Sequence, residues 1–357
     1  MKTSRRIAAL KAWQTIRRRR REIHDKRVRR LDEILDTPNQ VVTIKHPEES
    51  SIQHHTQKPP KAVTSYGRGI VSQFDKTPPS IACGRFWELR WAFGCPFDCA
   101  YCYLRGTSKG NMKPRYIKVE YVLKALDEAF ESVKEPSIFN SGELSDSWMN
   151  PNIMIQIVDK FESQQKHRLL TLTKFGYHSP MIHLLLRKPK KQTITAFSIN
   201  APEVARRYEG SAPSPEERIE AARLLSEVGY DTRIRIDPIF PIVNWEEHYE
   251  DLICSILSAF EPNRIVLGTP RGLWKTIMFA KKAGVDMSWT SYFAKEQTAW
   301  GKKLPFEVRK AIYQFMYDKL SGLGFEKSRI SLCKEEVSMW SEMKLNYTPL
   351  TCNCYNT

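Results

Sequence analysis

Residues 94–106 read GCPFDCAYCYLRG, which places three of the chain's eight cysteines, Cys95, Cys99 and Cys102, within eight positions. The stretch follows directly on FWELRWAF (86–93), an aromatic and apolar run with the composition of a β-strand. Three thiols this close together read as metal ligands or reactive thiols before disulfides.

Downstream the pattern alternates between short β-rich runs and helical stretches. Strands are predicted at 86–93, 137–142, 169–174, 193–200, 232–240, 264–270 and 330–333. Helices are predicted at 119–133, 153–163, 181–187, 214–228, 246–260, 272–283 and 306–322. The helix at 214–228 carries its own punctuation: Ser214 as N-cap, Pro215 at the first helical position, Glu217 to complete a capping box and Gly229 as stop. Repeated strand–helix units imply parallel strands joined by crossovers. The expected fold class is α/β, a partial (β/α)6 barrel of the TIM type. Chemistry in such a barrel sits at the C-terminal ends of the strands, which is where the cysteine stretch falls.

Three thiolates on a tight loop can hold three irons of a [4Fe–4S] cluster and leave the fourth open to a small molecule. A structural zinc site or free thiols are the alternatives. Zinc would need a fourth ligand, and the adjacent pair His54-His55 is a strained choice.

The rest of the chain supplies context. Of the net charge of +16, residues 1–30 carry +11. Residues 5–35 lack Pro and Gly and read as one helix, with Trp13 and Ile16 giving apolar grip. Such a tail suits a polyanion. Residues 36–63, with four prolines, read as a linker. The expected organisation is a basic helical extension (1–35), linker and lead-in (36–84), barrel (85–290) and a small C-terminal α/β segment (291–357) with a Cys-rich end. Hydrophobic residues make up 41% of the chain, enough for a sizeable core. No apolar run approaches the ~20 residues of a membrane helix, and the basic N-terminus has no apolar stretch behind it. The expected location is therefore the cytoplasm, the host's if the chain is viral.

C-x-x-x-C followed by C-x-aromatic-C, with Tyr101 in the aromatic place, resembles the signature of radical S-adenosylmethionine enzymes. Within them the chain resembles the spore photoproduct lyase branch over about residues 85–245. The likeness is carried by GCPFDCAYCYL, KPRYIKVEYVL, LTLTKF (170–175), FSINAPEV (197–204), SPEERIEAARLLSEVGY (214–230) and IDPIF (236–240). It implies a [4Fe–4S] cluster on Cys95, Cys99 and Cys102 whose open iron chelates S-adenosylmethionine. It also implies reductive cleavage to a 5′-deoxyadenosyl radical and an electron donor such as flavodoxin or ferredoxin. Lys174 and Ser198 match positions that contact S-adenosylmethionine, with Asn200 beside them. SGEL (141–144) stands where related enzymes hold the amino group, so Gly142 and Glu143 are the implied partners. A carboxylate suits an ammonium, and glycine lets backbone approach a ligand.

The likeness breaks at one position. The family carries a hydrogen-donating cysteine just ahead of a Ser-Asp pair. Ser145-Asp146 is present here, but the matching residue is Glu143. Other thiols lie in ISLCKEE (Cys333) and TCNCYNT (Cys352, Cys354). A second Fe–S cluster, a thiol donor and plain buried cysteines remain the three readings. Cys83 and Cys254 read as packing residues.

The implied function is chemistry on a thymine-type base in DNA. It is either a repair lyase or a rearrangement of a modified thymine, as in viral thymidine hypermodification. Glu143, Tyr101 and Tyr103 are the candidate catalytic residues. The base would leave the stack to reach the barrel mouth, where Tyr101, Tyr103 and Trp148 are candidates to stack on it, each equally a candidate core residue. An RNA-modifying enzyme and a non-catalytic Fe–S nucleic-acid-binding protein are the alternatives.

Overall fold

The computed structural model describes residues 69–347, apart from 75, 79, 84–85, 188–190, 296 and 299–300, together with Cys352 and Cys354. The basic helix expected at 5–35, the linker at 36–63 and His54-His55 lie outside the described residues.

Among the described residues the strands are β1 (Val71–Gln73), β2 (Ile81–Ala82), β3 (Trp87–Leu89), β4 (Ala92–Phe93), β5 (Arg115–Tyr116), β6 (Ile138–Asn140), β7 (Arg168–Thr173), β8 (Thr193–Ser198), β9 (Asp231–Ile236), β10 (Arg264–Leu267), β11 (Gln297–Thr298), β12 (Gly301–Lys302), β13 (Ile330–Leu332) and β14 (Glu335–Glu336). The α-helices are α1 (Leu104–Thr107), α2 (Val119–Ser132), α3 (Pro151–Glu162), α4 (Pro180–Leu186), α5 (Pro202–Tyr208), α6 (Pro215–Glu227), α7 (Trp245–Ala259), α8 (Trp274–Lys282), α9 (Phe306–Gly322) and α10 (Val337–Glu342).

One eight-stranded sheet runs in the order β1-β3-β6-β7-β8-β9-β10-β13. β1 joins β3 antiparallel, and every later neighbour is parallel. With β1 and β13 at its two edges the sheet is an open, partial barrel, as the strand–helix alternation predicts. All six residues of β8 are buried, as suits a central parallel strand covered on both faces. The outer face packs on helices: Phe139 of β6 meets Phe130 of α2 and Phe161 of α3 edge-on. The opposite face gathers Ile138, Leu170, Ile194 and Ala196, and Cys354 of the C-terminal tail packs against them with Leu172. The capping box of α6 forms as expected, Ser214 Oγ accepting from Glu217 N and Glu217 returning to Ser214 N.

Two expectations change. The strand expected at 86–93 divides: β3 stays in the main sheet, while β4 turns away to pair antiparallel with β5, Ala92 opposite Tyr116. Its alternation is continuous, but the hydrogen-bonding partner switches between Leu89 and Ala92, which periodicity does not reveal. The last parallel strand, β13, comes from the segment 291–357 and pairs in register with β10, Leu332 opposite Leu267. That segment therefore completes the sheet.

The parallel strands deliver one end of the sheet as a mouth. Asn140–Glu143 follow β6, Lys174 follows β7, Ser198 ends β8, Asp237 follows β9, Gly268 follows β10 and Cys333 follows β13.

Candidate active site

The cysteine loop is clamped from three sides. Gly94 adopts φ +82°, and a Cβ there would lie 2.5 Å from the Lys113 carbonyl oxygen, so only glycine fits. Its N–H donates to Leu144 O (3.0 Å), and Cys95 N–H to Met112 O (2.9 Å). On the far side the loop leans on the end of α5: Ala100 N–H donates to Tyr208 O (2.8 Å) and Ser211 N–H to Phe97 O (3.1 Å). Gly210, at φ +58°, approaches so closely that its Cβ would stand 2.1 Å from Phe97 O. The third clamp is buried Arg105, which donates to Cys99 O (3.0 Å) and to the backbone and carboxylate oxygens of Asp98 (2.8 Å each).

Burial pushes the thiols of Cys95, Cys99 and Cys102 up, so as free side chains they are protonated at neutral pH. Among the described residues no three Cys, His, Asp or Glu side chains converge closely enough for a single metal ion.

Beside the loop lies a buried charge relay. Lys174 Nζ donates to Ser198 Oγ (2.9 Å) and to Glu209 Oε1 (2.7 Å). Glu209 also pairs with fully buried Arg218 (2.5 Å) and accepts from the Tyr101 hydroxyl. Burial alone would raise the Glu209 carboxyl, but Lys174 and Arg218 outweigh it and hold it down at about 2. Arg218 further donates to Ser198 O (3.1 Å) and Pro213 O (2.8 Å). Asp146 ties β6 to β7, accepting from Trp148 N–H (2.9 Å), Thr173 Oγ1 (2.8 Å) and Lys174 N–H (2.8 Å). Burial raises its carboxyl to about 6 despite these bonds.

Glu143 stands at the mouth, three residues past the end of β6. Its Oε1 accepts from Asn140 Nδ2 (2.9 Å), and its Oε2 lies 3.4 Å from Tyr103 Oη and 3.7 Å from Lys334 Nζ. Opposite it, Asp237 is held between Arg235 (2.7 Å) and Arg271 (2.8 Å). The two guanidiniums overcome burial and hold that carboxyl well below the usual range.

The structure brings Cys95, Cys99, Cys102, Tyr101, Lys174 and Ser198 together as one neighbourhood, with Tyr103 and Glu143 adjoining. Gly142 sits against Leu172, where a Cβ would come within 2.6 Å of Leu172 Cβ, and its N–H donates to Asn140 Oδ1 (2.9 Å). Asn200 spends its carboxamide on scaffold contacts: Pro238 O (2.7 Å), Tyr249 Oη (2.8 Å) and Ala201 N (2.9 Å). Trp148, a candidate for either the mouth or the core, is buried edge-on against Phe197 on the helix-covered side, so it is a core residue. Cys254, expected to pack, is exposed on α7. Glu209, Arg218, Arg235, Asp237 and Arg271 were not singled out from sequence, and Asp146 was named only as part of the Ser145-Asp146 pair. Asp237 lay within the quoted IDPIF, whereas Glu209 is one glutamate after a short helix and carried no local signal.

The comparisons with known proteins agree with this fold. The family model described as spore photoproduct lyase matches residues 21–266, more than half of the chain. Spore photoproduct lyase of Clostridium acetobutylicum is 30% identical over 175 residues, 47% of this chain and 50% of the relative. That of Bacillus subtilis is 29% identical over 207 residues, 56% and 58% respectively. The chain thus spans little more than half the length of these curated relatives. Among solved structures, spore photoproduct lyase complexed with dinucleoside spore photoproduct superposes with a TM-score of 0.59 at 20% identity, covering 72% of this chain and 78% of that one. A variant of it with bound AdoMet and the same dinucleoside gives the same values. With the cysteine loop, the strand-end lysine and serine and a matching model over most of the barrel, the chain belongs to the spore photoproduct lyase family.

Proposed function

We propose that this chain is a radical S-adenosylmethionine enzyme acting on a thymine-type base in DNA. The observation that carries the reading is the placement of the three-cysteine loop at the barrel mouth, directly against the Lys174–Ser198–Glu209–Arg218 relay. The fit to a cluster is good: buried Cys99 and half-buried Cys95 and Cys102 stand on a loop whose backbone is held from three sides, and cationic Lys174 and Arg218 lie near Cys99. When bound, the cluster and S-adenosylmethionine together supply a 5′-deoxyadenosyl radical.

The chain's own residues divide the remaining work. Lys174 and Ser198 present an ammonium and a hydroxyl to the ligand's carboxylate, with Glu209 holding the lysine in place. Gly142 lets the ligand's amino end approach the backbone beside Glu143. Tyr101 and Tyr103 line the space between cofactor and base. Around the rim, Trp274 is 67% exposed at the start of α8, with exposed Lys275 next to it. An aromatic ring and an ammonium together suit a base displaced from the stack and its phosphate. The basic segment 1–35 adds sequence-independent phosphate affinity.

Two chemistries fit this site: cleavage of a thymine photoproduct and rearrangement of a modified thymine. Glu143 favours the second. A carboxylate stands where the family places its donor thiol, and an oxygen acid is a poor hydrogen-atom donor. A rearrangement that regenerates S-adenosylmethionine needs no such donor.

The test is direct. Anaerobically reconstituted, reduced protein should cleave S-adenosylmethionine, and Cys99→Ala should bind less iron and release no 5′-deoxyadenosine. Mass spectrometry of DNA from cells with and without the gene should show a changed thymine species. Cleavage that survives Cys99→Ala would refute the cluster assignment.

A further inference from the structure

On one side the cysteine loop is covered by a single turn of chain, and that turn is basic. Cys95 N–H donates to Met112 O (2.9 Å), and Asn111 and Lys113, on either side of Met112, are exposed. One thickness of backbone therefore separates the first cysteine from solvent here. The turn is held by its own hydrogen bonds: Gly110 N–H donates to Arg105 O (2.8 Å), Asn111 N–H to Ser108 O (3.1 Å), and Lys113 N–H to Asn111 Oδ1 (3.2 Å). Lys109 at φ +52° and Gly110 at φ +85° make its left-handed bend.

The last turn of α8 continues the same surface. α1, which begins two residues after Cys102, packs so closely on α8 that a Cβ at Gly106 would lie 2.9 Å from Thr276 N. The Phe279 ring joins the two segments. A Cβ at Gly110 would lie 3.0 Å from that ring, and Lys282 Nζ stands 5.7 Å from its centroid. Lys109, Lys113, Lys281 and Lys282 are all exposed. Residues 104–118 and 268–285 contain no aspartate or glutamate. Protein surfaces ordinarily intersperse both signs, so a lysine cluster without carboxylates suits an anionic partner.

We propose that this face, Lys109 and Lys113 with Lys281 and Lys282, docks a small acidic electron-carrier protein that reduces the iron–sulfur centre on Cys95, Cys99 and Cys102. The proposal rests on the function above for the existence of that centre, and adds the partner and its place. Electron transfer weakens steeply with distance, so a reductant belongs where the cover over the cysteines is one chain thick. Redox encounters bury little area and depend on complementary charge for orientation. Four lysines on a turn and a helix end meet that need. One electron leaves the reduced carrier and one enters the centre; no bond is made or broken and no proton moves. DNA is the other polyanion in the reaction, but its proposed foothold, Trp274 and Lys275, is at the opposite end of α8. Seven residues of helix separate Trp274 from Lys281, about 10 Å of rise, which leaves each partner its own end.

The test uses full-length protein, with flavodoxin, a small acidic flavoprotein, as the probe. Titration of oxidised flavodoxin, followed by its flavin fluorescence, reads docking without turnover. Wild type should bind it, and more weakly as salt rises. The variant Lys109→Glu/Lys113→Glu/Lys281→Glu/Lys282→Glu should bind about tenfold more weakly. Its 5′-deoxyadenosine formation with reduced flavodoxin should fall by a similar factor. Dithionite, a small reductant that needs no dock, should drive both proteins equally, and duplex affinity should fall far less than flavodoxin affinity. The proposal is overturned if wild type binds no flavodoxin or if the variant binds it as tightly as wild type. A loss of duplex affinity as large as that of flavodoxin affinity assigns the face to DNA instead. Should dithionite-driven cleavage fall in the variant too, Lys281→Gln/Lys282→Gln, which leaves the turn beside Cys95 untouched, decides by titration alone: a Kd equal to wild type's rejects the face. Wild type that cleaves no S-adenosylmethionine with dithionite would defeat the enzymatic reading, while the titration still judges the dock.

Discussion

Tyr103 Oη lies 3.4 Å from Glu143 Oε2, so the residue that follows the last loop cysteine touches the carboxylate standing in the family's thiol position. The pair joins the cofactor side of the mouth to the Asn140–Glu143–Lys334 side. In the proposed reaction it faces the base.

Glu143→Gln keeps the shape of this contact and removes the charge that faces Lys334. S-adenosylmethionine cleavage should persist while product forms about tenfold more slowly, as loss of one charge-assisted bond of about 1.5 kcal/mol implies. Tyr103→Phe should likewise uncouple cleavage from product. Uncoupled 5′-deoxyadenosine measured beside modified thymine decides; unchanged product rates in both variants would remove the pair from the site.

Arg218→Ala strips a fully buried guanidinium from Glu209. Lys174 remains, but the carboxylate loses one of its two cations, and the loss should cost about 3 kcal/mol of stability in urea unfolding. Iron retention should fall too, because the relay braces the loop through Cys99, whose thiol reaches Glu209 O at 3.6 Å. A loss below about 0.5 kcal/mol would class the pair with exposed ones.

Acid stability carries a signature from Asp231 at the opposite end of the sheet. Burial would raise its carboxyl, but Arg233 and Arg168, with a hydrogen bond from Asn263, bring it down to about 2 from an ordinary 3.8. A depressed carboxyl stabilises the fold above its unfolded value, and that contribution is lost as pH falls from 3.8 toward 2. Asp231→Asn should be less stable than wild type by about 2 kcal/mol at pH 7, and the gap should close through that window. A constant gap down to pH 2 would contradict the assignment.

Duplex binding should have two separable parts. Removing residues 1–35 should weaken it at every sequence and flatten its dependence on salt. Trp274→Ala should cost about 1–3 kcal/mol with the salt slope unchanged, since stacking involves no counterions. Titrations at several salt concentrations distinguish the two, and identical slopes for all three proteins would count against the basic segment.

Much of the site was legible in sequence because its residues sit at strand ends, where a short motif and the strand position coincide. Cys95, Cys99, Cys102, Lys174 and Ser198 are of this kind. What stayed hidden is non-local. Glu209 matters only because α5 ends against the cysteine loop. Asp237 matters only because Arg271, across the gap from β9 to β10, reaches back to it. Trp148 stayed open between mouth and core because an aromatic after a mouth motif can turn to either face of the sheet, and here it packs on Phe197. The helix expected at 5–35, by contrast, rests on composition alone and lies outside the described residues.

The pairing of β2 with β14 joins residues more than 250 positions apart in the chain. Loop-closure entropy must be overcome before so distant a contact gives anything back. During synthesis the cysteine loop leaves the ribosome long before β13 and β14 exist, and until they arrive the edge of β10 and the apolar pair Ile81-Ala82 have no cover. The nascent sheet therefore stays unfinished until that distant segment is made, so iron–sulfur assembly on this chain is expected to follow the synthesis of β14 rather than precede it.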